Sequence, residues 1–161
     1  MAVDHFLKID GIEGESEDAE HKGWIDILSW NWGEMQTGTM SQGGGGGAGK
    51  VSMRDFHFTM RVCKASPKLL LACAAGQHIK NATLVGRKAG TTQQEFLKIK
   101  FTDLLVSSFQ TGGTGSVDPV PIDQISLNYA KIEYEYKAQK PDGTLDGAIS
   151  AGWNLKENKK V

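Results

Sequence analysis

A mainly β fold with one short helix follows from three features of this sequence. Most segments alternate apolar and polar residues with a period of two, the pattern of strands with a buried face. Turn residues punctuate these segments, as in Lys140-Pro141-Asp142-Gly143. A single stretch carries helix start and stop signals. About six or more strands and one helix in 161 residues make a barrel or a sandwich, with the helix over an open end or side. The length fits one domain, against a prior of ~150 residues per domain.

The elements follow in order. From Trp24 to Trp32, Trp24, Leu28, Trp30 and Trp32 fall on one side of a strand and Ile25, Ile27, Ser29 and Asn31 on the other. Both sides are partly apolar, which calls for a second surface such as another subunit. Residues 36–50 form a long glycine-rich arm, reaching away from the body that carries it. The run from Val51 to Val62 puts Phe56, Phe58, Met60 and Val62 on one face and Asp55, His57, Thr59 and Arg61 on the other. Ser66 as N-cap, Pro67 at the first helical position, a Leu/Ala run and Gly76 at the end predict a helix over about 66–75. That is about three turns at ~3.6 residues per turn. Ala82 to Lys88 and the Leu97, Ile99, Phe101 alternation predict a hairpin around Gly90-Thr91-Thr92. The last pair is Ile122 to Ala138 and Ile149 to Leu155, where Ile149, Ala151, Trp153 and Leu155 share a face.

One strand breaks its own rule. Ile125, Leu127 and Tyr129 are apolar at odd positions, and Ala130, Ile132, Tyr134 and Tyr136 continue at even ones. Either a bulge lies near Tyr129 or opposite faces are buried along the strand's length. The second option requires a partner surface.

Composition excludes several classes. Eighteen Lys and Arg against 19 Asp and Glu give a net charge of −1, without the basic footprint that nucleic-acid phosphates require. The longest apolar run, Leu69 to Ala75, is far short of the ~20 residues of a membrane helix. Met1 to Lys8 has no basic start leading to an apolar core, so the expectation is a chain that folds in the cytoplasm and leaves the cell, if it does, without a signal peptide. Cys63 and Cys73 lack metal-ligand spacing and are expected as small buried hydrophobes.

The tract Gly43-Gly44-Gly45-Gly46-Gly47-Ala48-Gly49-Lys50 invites comparison with a phosphate-binding loop through Gly44, Gly49 and Lys50. The match fails at Val51, where the Mg²⁺-holding Ser or Thr is required, and a strand pattern follows instead of a helix. His5, His21, His57 and His78 have no zinc-type spacing. The acidic run Glu13, Glu15, Glu17, Asp18 and Glu20 is expected as a solvated loop, with a charge-complementary rim against another subunit as the alternative. No catalytic residue, metal ligand or cofactor site emerges.

Several blocks in fixed order carry a family likeness. They are Met1-Ala2-Val3-Asp4 before Phe6-Leu7-Lys8-Ile9, Gly14-Glu15-Ser16, Ile25-Asp26-Ile27-Leu28-Ser29-Trp30-Asn31-Trp32-Gly33, and the glycine tract closing on Gly49-Lys50-Val51. The second half adds Arg87-Lys88-Ala89-Gly90, Val106-Ser107-Ser108, Thr111-Gly112-Gly113, Leu127-Asn128-Tyr129-Ala130 and Gly152-Trp153-Asn154-Leu155. From end to end the chain resembles the haemolysin-coregulated protein (Hcp) family of bacterial type VI secretion systems. The resemblance implies a phage tail-tube-like β-barrel of two packed sheets with one flanking helix, filling residues 1–161 as a single domain. It further implies a homo-hexameric ring that stacks into a tube, contacts a spike protein and a contractile sheath, and holds effector proteins in its lumen. No enzymatic activity, metal, cofactor, nucleic acid or membrane insertion belongs to that picture, and no appended effector domain is expected. A tail-tube-like subunit of a phage-derived contractile particle is the alternative with the same stacked-ring logic.

Within that picture Ser29 and Asn31, opposite Trp30 and Trp32 on the pleat, are expected to face the lumen and its cargo. A subunit contact by the same face is the competing expectation, given Ile25 and Ile27 beside them. The arm, with Gln42, Gly43, Gly44, Gly45, Gly46, Gly47, Ala48, Gly49 and Lys50 at its centre, is expected to touch a neighbouring subunit or the next ring.

Overall fold

The computed structural model describes residues 2–38, 40, 47, 49–89, 93–115 and 120–161. Among them the strands are β1 (Val3–Ile9), β2 (Ile25–Ile27), β3 (Ser29–Asn31), β4 (Glu34–Met35), β5 (Ser52–Met53) and β6 (Phe56–Arg61). The helix α1 (Ala65–Ala75) comes next, then β7 (Ile79–Lys88), β8 (Gln94–Gly112), β9 (Ile122–Gln139), β10 (Leu145–Asn154) and β11 (Lys159–Lys160). All pairings are antiparallel, and β4 with β5 forms a separate ribbon.

Closure depends on a corner. β1 pairs with β7 and β2, β3 pairs with β6, β6 with the first half of β9, and β9 with β8, which returns to β7. β2 and β3 are one bent strand, broken at Leu28, whose N–H donates to Thr59 O at 2.9 Å. The break changes the pleat phase. Ile25 and Ile27 point into the core, whereas Ser29 and Asn31 are exposed and Trp30 packs on the core from the other phase. The two-sided apolar pattern of Trp24 to Trp32 is therefore a corner, and by itself demands no second subunit.

The run from Val51 to Val62 is likewise two elements. Phe56, Phe58 and Met60 are fully buried in β6 as expected, but β5 belongs to the arm ribbon and Val62 lies beyond the strand, exposed. The expected hairpin is β7 with β8, paired from Ile79↔Leu104 to Lys88↔Gln94; its turn residues Gly90, Thr91 and Thr92 lie outside the described residues. The turn at Lys140–Gly143 closes on itself: Lys140 N–H donates to Thr144 O at 2.7 Å, and Gly143 takes φ +89°, where a side chain would be strained.

Around Tyr129 both β9 and its neighbour change face. Phe101 and Leu104 are both buried in β8, as are Tyr129 and Ile132 in β9, and in each strand the inward phase slips between them. The ladder passes from Thr102↔Lys131 to Leu104↔Tyr129 around Asp103, which sits at φ +53°. Across it, Ala130 O accepts from Leu155 N–H at 2.7 Å. The two strands kink together, so the barrel wall becomes a protruding three-stranded sheet of β8, β9 and β10.

The helix starts earlier than its cap signal suggests. Ser66 lies inside α1, which begins at Ala65 behind Lys64 and has no side-chain N-cap. Gly76 ends it as expected, at φ +60°. Ser66 instead anchors the helix: its Oγ accepts from Cys63 N–H at 3.0 Å and donates to Asp123 Oδ2 at 2.5 Å. Asp123 is 0 % exposed on β9, and its Oδ1 has no hydrogen-bond partner among the described residues. Ser66→Ala strips this carboxyl of its donor, which costs about 1–3 kcal/mol. A thermal melt is expected to fall by several degrees at ~2–4 °C per kcal/mol for a chain of this size. Cys63 and Cys73 are free and half-buried against the core.

Candidate functional site

Three surfaces and one buried cluster bear on function. The first is the outer face of the barrel wall. Pairing sets two rungs across four strands: Ser29↔Thr59↔Gln124↔Gln110 and Asn31↔His57↔Ser126↔Ser108. Residues directly opposite share a face, so all eight lie on the outer side of the wall, where Ser126 is buried beneath its neighbours. The rungs cross-link through hydroxyls, with Ser29 Oγ and Thr59 Oγ1 at 2.7 Å. An extra residue in β8 between Val106 and Ser108 brings two serines to Ser126, at 2.7 Å for Ser107 and 2.5 Å for Ser108. Ser107 also donates to Asp55 Oδ2 at 2.7 Å, and Asn128 to Asp55 Oδ1 at 2.9 Å. The result is a shallow hollow of about 390 Å³ walled mainly by polar side chains, Arg54 and His57 among them, with Phe58 and Ile125 also reaching it. It has hydrogen-bonding capacity everywhere and no apolar anchor on its rungs.

Ser29 and Asn31 thus lie where the pleat predicts, on one polar face. Ile25 and Ile27 are not beside them but in the core, so the apolar neighbours that suggested a subunit contact there are absent.

The second surface is apolar. In the protruding sheet Leu97↔Tyr136↔Ile149, Ile99↔Tyr134↔Ala151 and Phe101↔Ile132↔Trp153 form three rows on one face. Their β8 members are buried. Toward β10 they emerge: Tyr134, Tyr136 and Ala151 are exposed, and Ile149 is 71 % exposed. The opposite face is charged, with Lys98↔Glu135 and Lys100↔Glu133 as cross-strand pairs. A core face therefore runs off its own barrel. Where it passes the arm it becomes a groove of about 730 Å³, lined by Trp32, Met35, Met53, Tyr134, Ala151 and Trp153. The Trp153 indole N–H is buried there without a hydrogen-bond partner among the described residues.

The third surface is the arm. Its base is the β4/β5 ribbon, with Glu34↔Met53 and Met35↔Ser52 opposed and Gly49 N–H donating to Thr37 O at 3.1 Å. A side chain at Gly49 would press on Gln36 and Thr37 at 3.3 Å, so close approach accounts for glycine there. Tyr129 holds the base to the barrel: its hydroxyl donates to Arg54 O at 2.9 Å and accepts from Trp32 Nε1. Burial pushes this phenol up to about 12, so it remains a donor. Of the arm residues expected to touch a neighbour, Gly47, Gly49 and Lys50 are described; Gln42, Gly43, Gly44, Gly45, Gly46 and Ala48 lie outside the described residues. The tract leads into β5 and not into a helix, which removes the dipole a phosphate loop needs.

The buried cluster has no cue in the spacing. His21 is 1 % exposed, between Asp18 Oδ2 at 2.8 Å on Nδ1 and Glu95 Oε1 at 2.7 Å on Nε2. Arg87, 3 % exposed, donates two bonds to Asp18, of 2.8 and 2.7 Å, and lies 5.0 Å over the Phe6 ring. The Arg87 hydrogen bonds hold the Asp18 carboxyl far below the usual carboxylate range, and Asp18 in turn raises Arg87. This corrects two expectations: His21, alone of the four histidines, joins a buried cluster of charged groups, and Asp18 of the acidic run is not solvated loop. Residues 18, 21, 87 and 95 meet only because β1, β7 and β8 are neighbours.

Comparison with known proteins places these features. The family model described as "Type VI secretion system effector, Hcp" matches residues 6–136. The chain is 46 % identical over 160 residues to protein hcp1 of Pseudomonas aeruginosa, covering 98 % of each. A solved type six secretion system protein superposes with TM-score 0.95 at 34 % identity, over 99 % of this chain and 100 % of that one. Hcp1 from Salmonella typhimurium gives TM-score 0.81 at 37 % identity over the full length of both.

Proposed function

Because this chain belongs to the Hcp family of type VI secretion proteins, we propose that it is a structural ring subunit, six copies of which close head to tail and stack into the tube of the secretion machine. The observation that carries this reading is the apolar face that leaves its own barrel at Tyr134, Tyr136 and Ile149. A heterologous interface covers such a face with a different patch of the next copy, and a closing rotation makes a ring. The half-open groove beside the arm base extends the same contact.

The polar rungs through Ser29 and Asn31 face the lumen in this arrangement. Small neutral side chains suit a passage that must hold effector proteins and release them, because no deep apolar pocket traps one cargo. The arm meets the neighbouring subunit or the next ring, and the spike and sheath engage the stacked tube. The protein acts by assembly and holding, without catalysis, cofactor, nucleic acid or membrane insertion. It assembles in the cytoplasm and is expelled from the cell by the machine.

Native mass measurement of the untagged protein tests the ring: six subunits support it, and a monomer overturns it. Asn31→Gln tests the lumen. The ring mass is expected to stay while retention of co-expressed effector drops several-fold in co-purification. Loss of ring and cargo together would place Asn31 in the subunit contact instead.

A further inference from the structure

His21 is oriented by rings. It stacks on Phe6 at 4.5 Å with 3° between planes and meets Trp24 edge-on at 4.8 Å. In that pose both ring nitrogens face acceptors, Asp18 from Nδ1 and Glu95 from Nε2. A neutral imidazole has one N–H. One imidazole N–H can serve Asp18 from Nδ1, and the 2.7 Å approach of Nε2 to Glu95 then calls for a cation between them, a second proton or a metal ion.

The local charge has the same sign. Asp18 is matched by Arg87, while Glu20 and Glu95 form no ion pair with Lys or Arg among the described residues. Asp4 lies 3.7 Å from Arg87 and adds a further negative charge. Burial pushes the Asp26 carboxyl up against a lowering hydrogen bond from Ser16, and the charges of Asp18 and Asp4 add to the rise. One atom each of Glu20, His21 and Glu95 lies within 4.8 Å of the others.

We propose that His21 Nε2, Glu95 and Glu20 bind a divalent metal ion of the zinc type, oriented by Asp18 on Nδ1. The chemistry is that of a carboxylate–histidine–metal triad: a carboxylate on the far nitrogen fixes the tautomer that leaves the near one free to ligate. Three protein ligands leave a fourth position for water. Glu20 is exposed and Glu95 only half-buried, so both carboxylates can close on an ion that the rigid imidazole presents. The metal joins the loop after β1, through Glu20 and His21, to the start of β8 at Glu95. It is a clamp on the barrel end and leaves the polar rungs untouched.

Zinc ion titrated into untagged, metal-stripped protein tests this by calorimetry. The expected result is one site per chain, a rise in melting temperature that a chelator reverses, and visible absorption when cobalt replaces zinc. Glu95→Gln and Glu20→Gln are each expected to weaken binding about tenfold or more. Both change exposed or half-buried side chains, and an unchanged far-ultraviolet spectrum and metal-free melt verify that the fold is kept. No binding at millimolar zinc, or equal affinity in the wild type and both variants, would overturn the site. So would ¹⁵N imidazole resonances showing two N–H protons on His21 at neutral pH that zinc leaves unchanged, since a proton would then be the cation.

Discussion

Native mass spectrometry of Ile149→Asp is expected to show single chains where the proposed ring predicts six for the wild type. In the isolated subunit Ile149 is 71 % exposed and opposite Tyr136, so the change alters folding stability within about 0.5 kcal/mol. In the proposed ring the same position is covered by the next copy. An unpaired carboxylate there costs several kcal/mol of order, and the cost recurs at every interface around the ring. Circular dichroism of the variant is expected to match the wild type, which separates failed assembly from failed folding. Ser150→Asp is the control on the same strand, because Ser150 lies opposite Glu135 on the charged face. That variant keeps the ring. A full ring from Ile149→Asp would mean that the uncovered apolar rows are not the subunit contact.

Arg87→Ala is expected to be the most destabilising single change outside the apolar core. Its guanidinium is 3 % exposed and holds Asp18 by two bonds, while Asp18 orients His21. Removing one partner of a buried pair leaves the other charged and desolvated, a loss of about 3–5 kcal/mol. At ~2–4 °C per kcal/mol the melt falls by roughly 6–20 °C. Arg87→Lys does not restore it, since a point charge cannot make the paired bonds of the planar fork. The pH dependence adds a second readout. The folded-state pKa of Asp18 is depressed by Arg87, so its stabilisation is complete above the unfolded carboxylate value of ~3.9 and is lost as pH falls toward the lower folded value. Wild-type stability therefore declines on acidification below about pH 4, and the Arg87→Ala curve is shallower there. Equal acid slopes in the two proteins would show that Asp18 is not held by Arg87 in solution.

Local order was legible in the chain itself. Alternation at Phe56, Phe58 and Met60 and at Leu97, Ile99 and Phe101 gave the inward faces, because the pleat has a period of two whatever surrounds it. Gly76 and Gly143 marked ends where φ must be positive. The slip from odd to even apolar positions after Tyr129 announced an irregularity in β9, although not that β8 slips with it. The face carrying Ser29 and Asn31 was correct by alternation, whereas its neighbours were not, since Leu28 turns a corner that the period cannot encode.

What the sequence alone determined is thus the helix, the strands β2, β3 and β6 to β10 in outline with most of their inward residues, and, through ordered blocks along the whole chain, the family, while β1, β4, β5 and β11 had no reading of their own. Only the tertiary structure decided where strands change partners at Leu28 and Asp103, which apolar rows stay uncovered at β10, and that Asp18, His21, Arg87 and Glu95 share one buried cluster. Pleat and turn preferences act over a few residues and are written there. Contacts such as His21 with Glu95, |i−j| of 74, exist only once closure makes distant strands neighbours, and no local pattern carries that information.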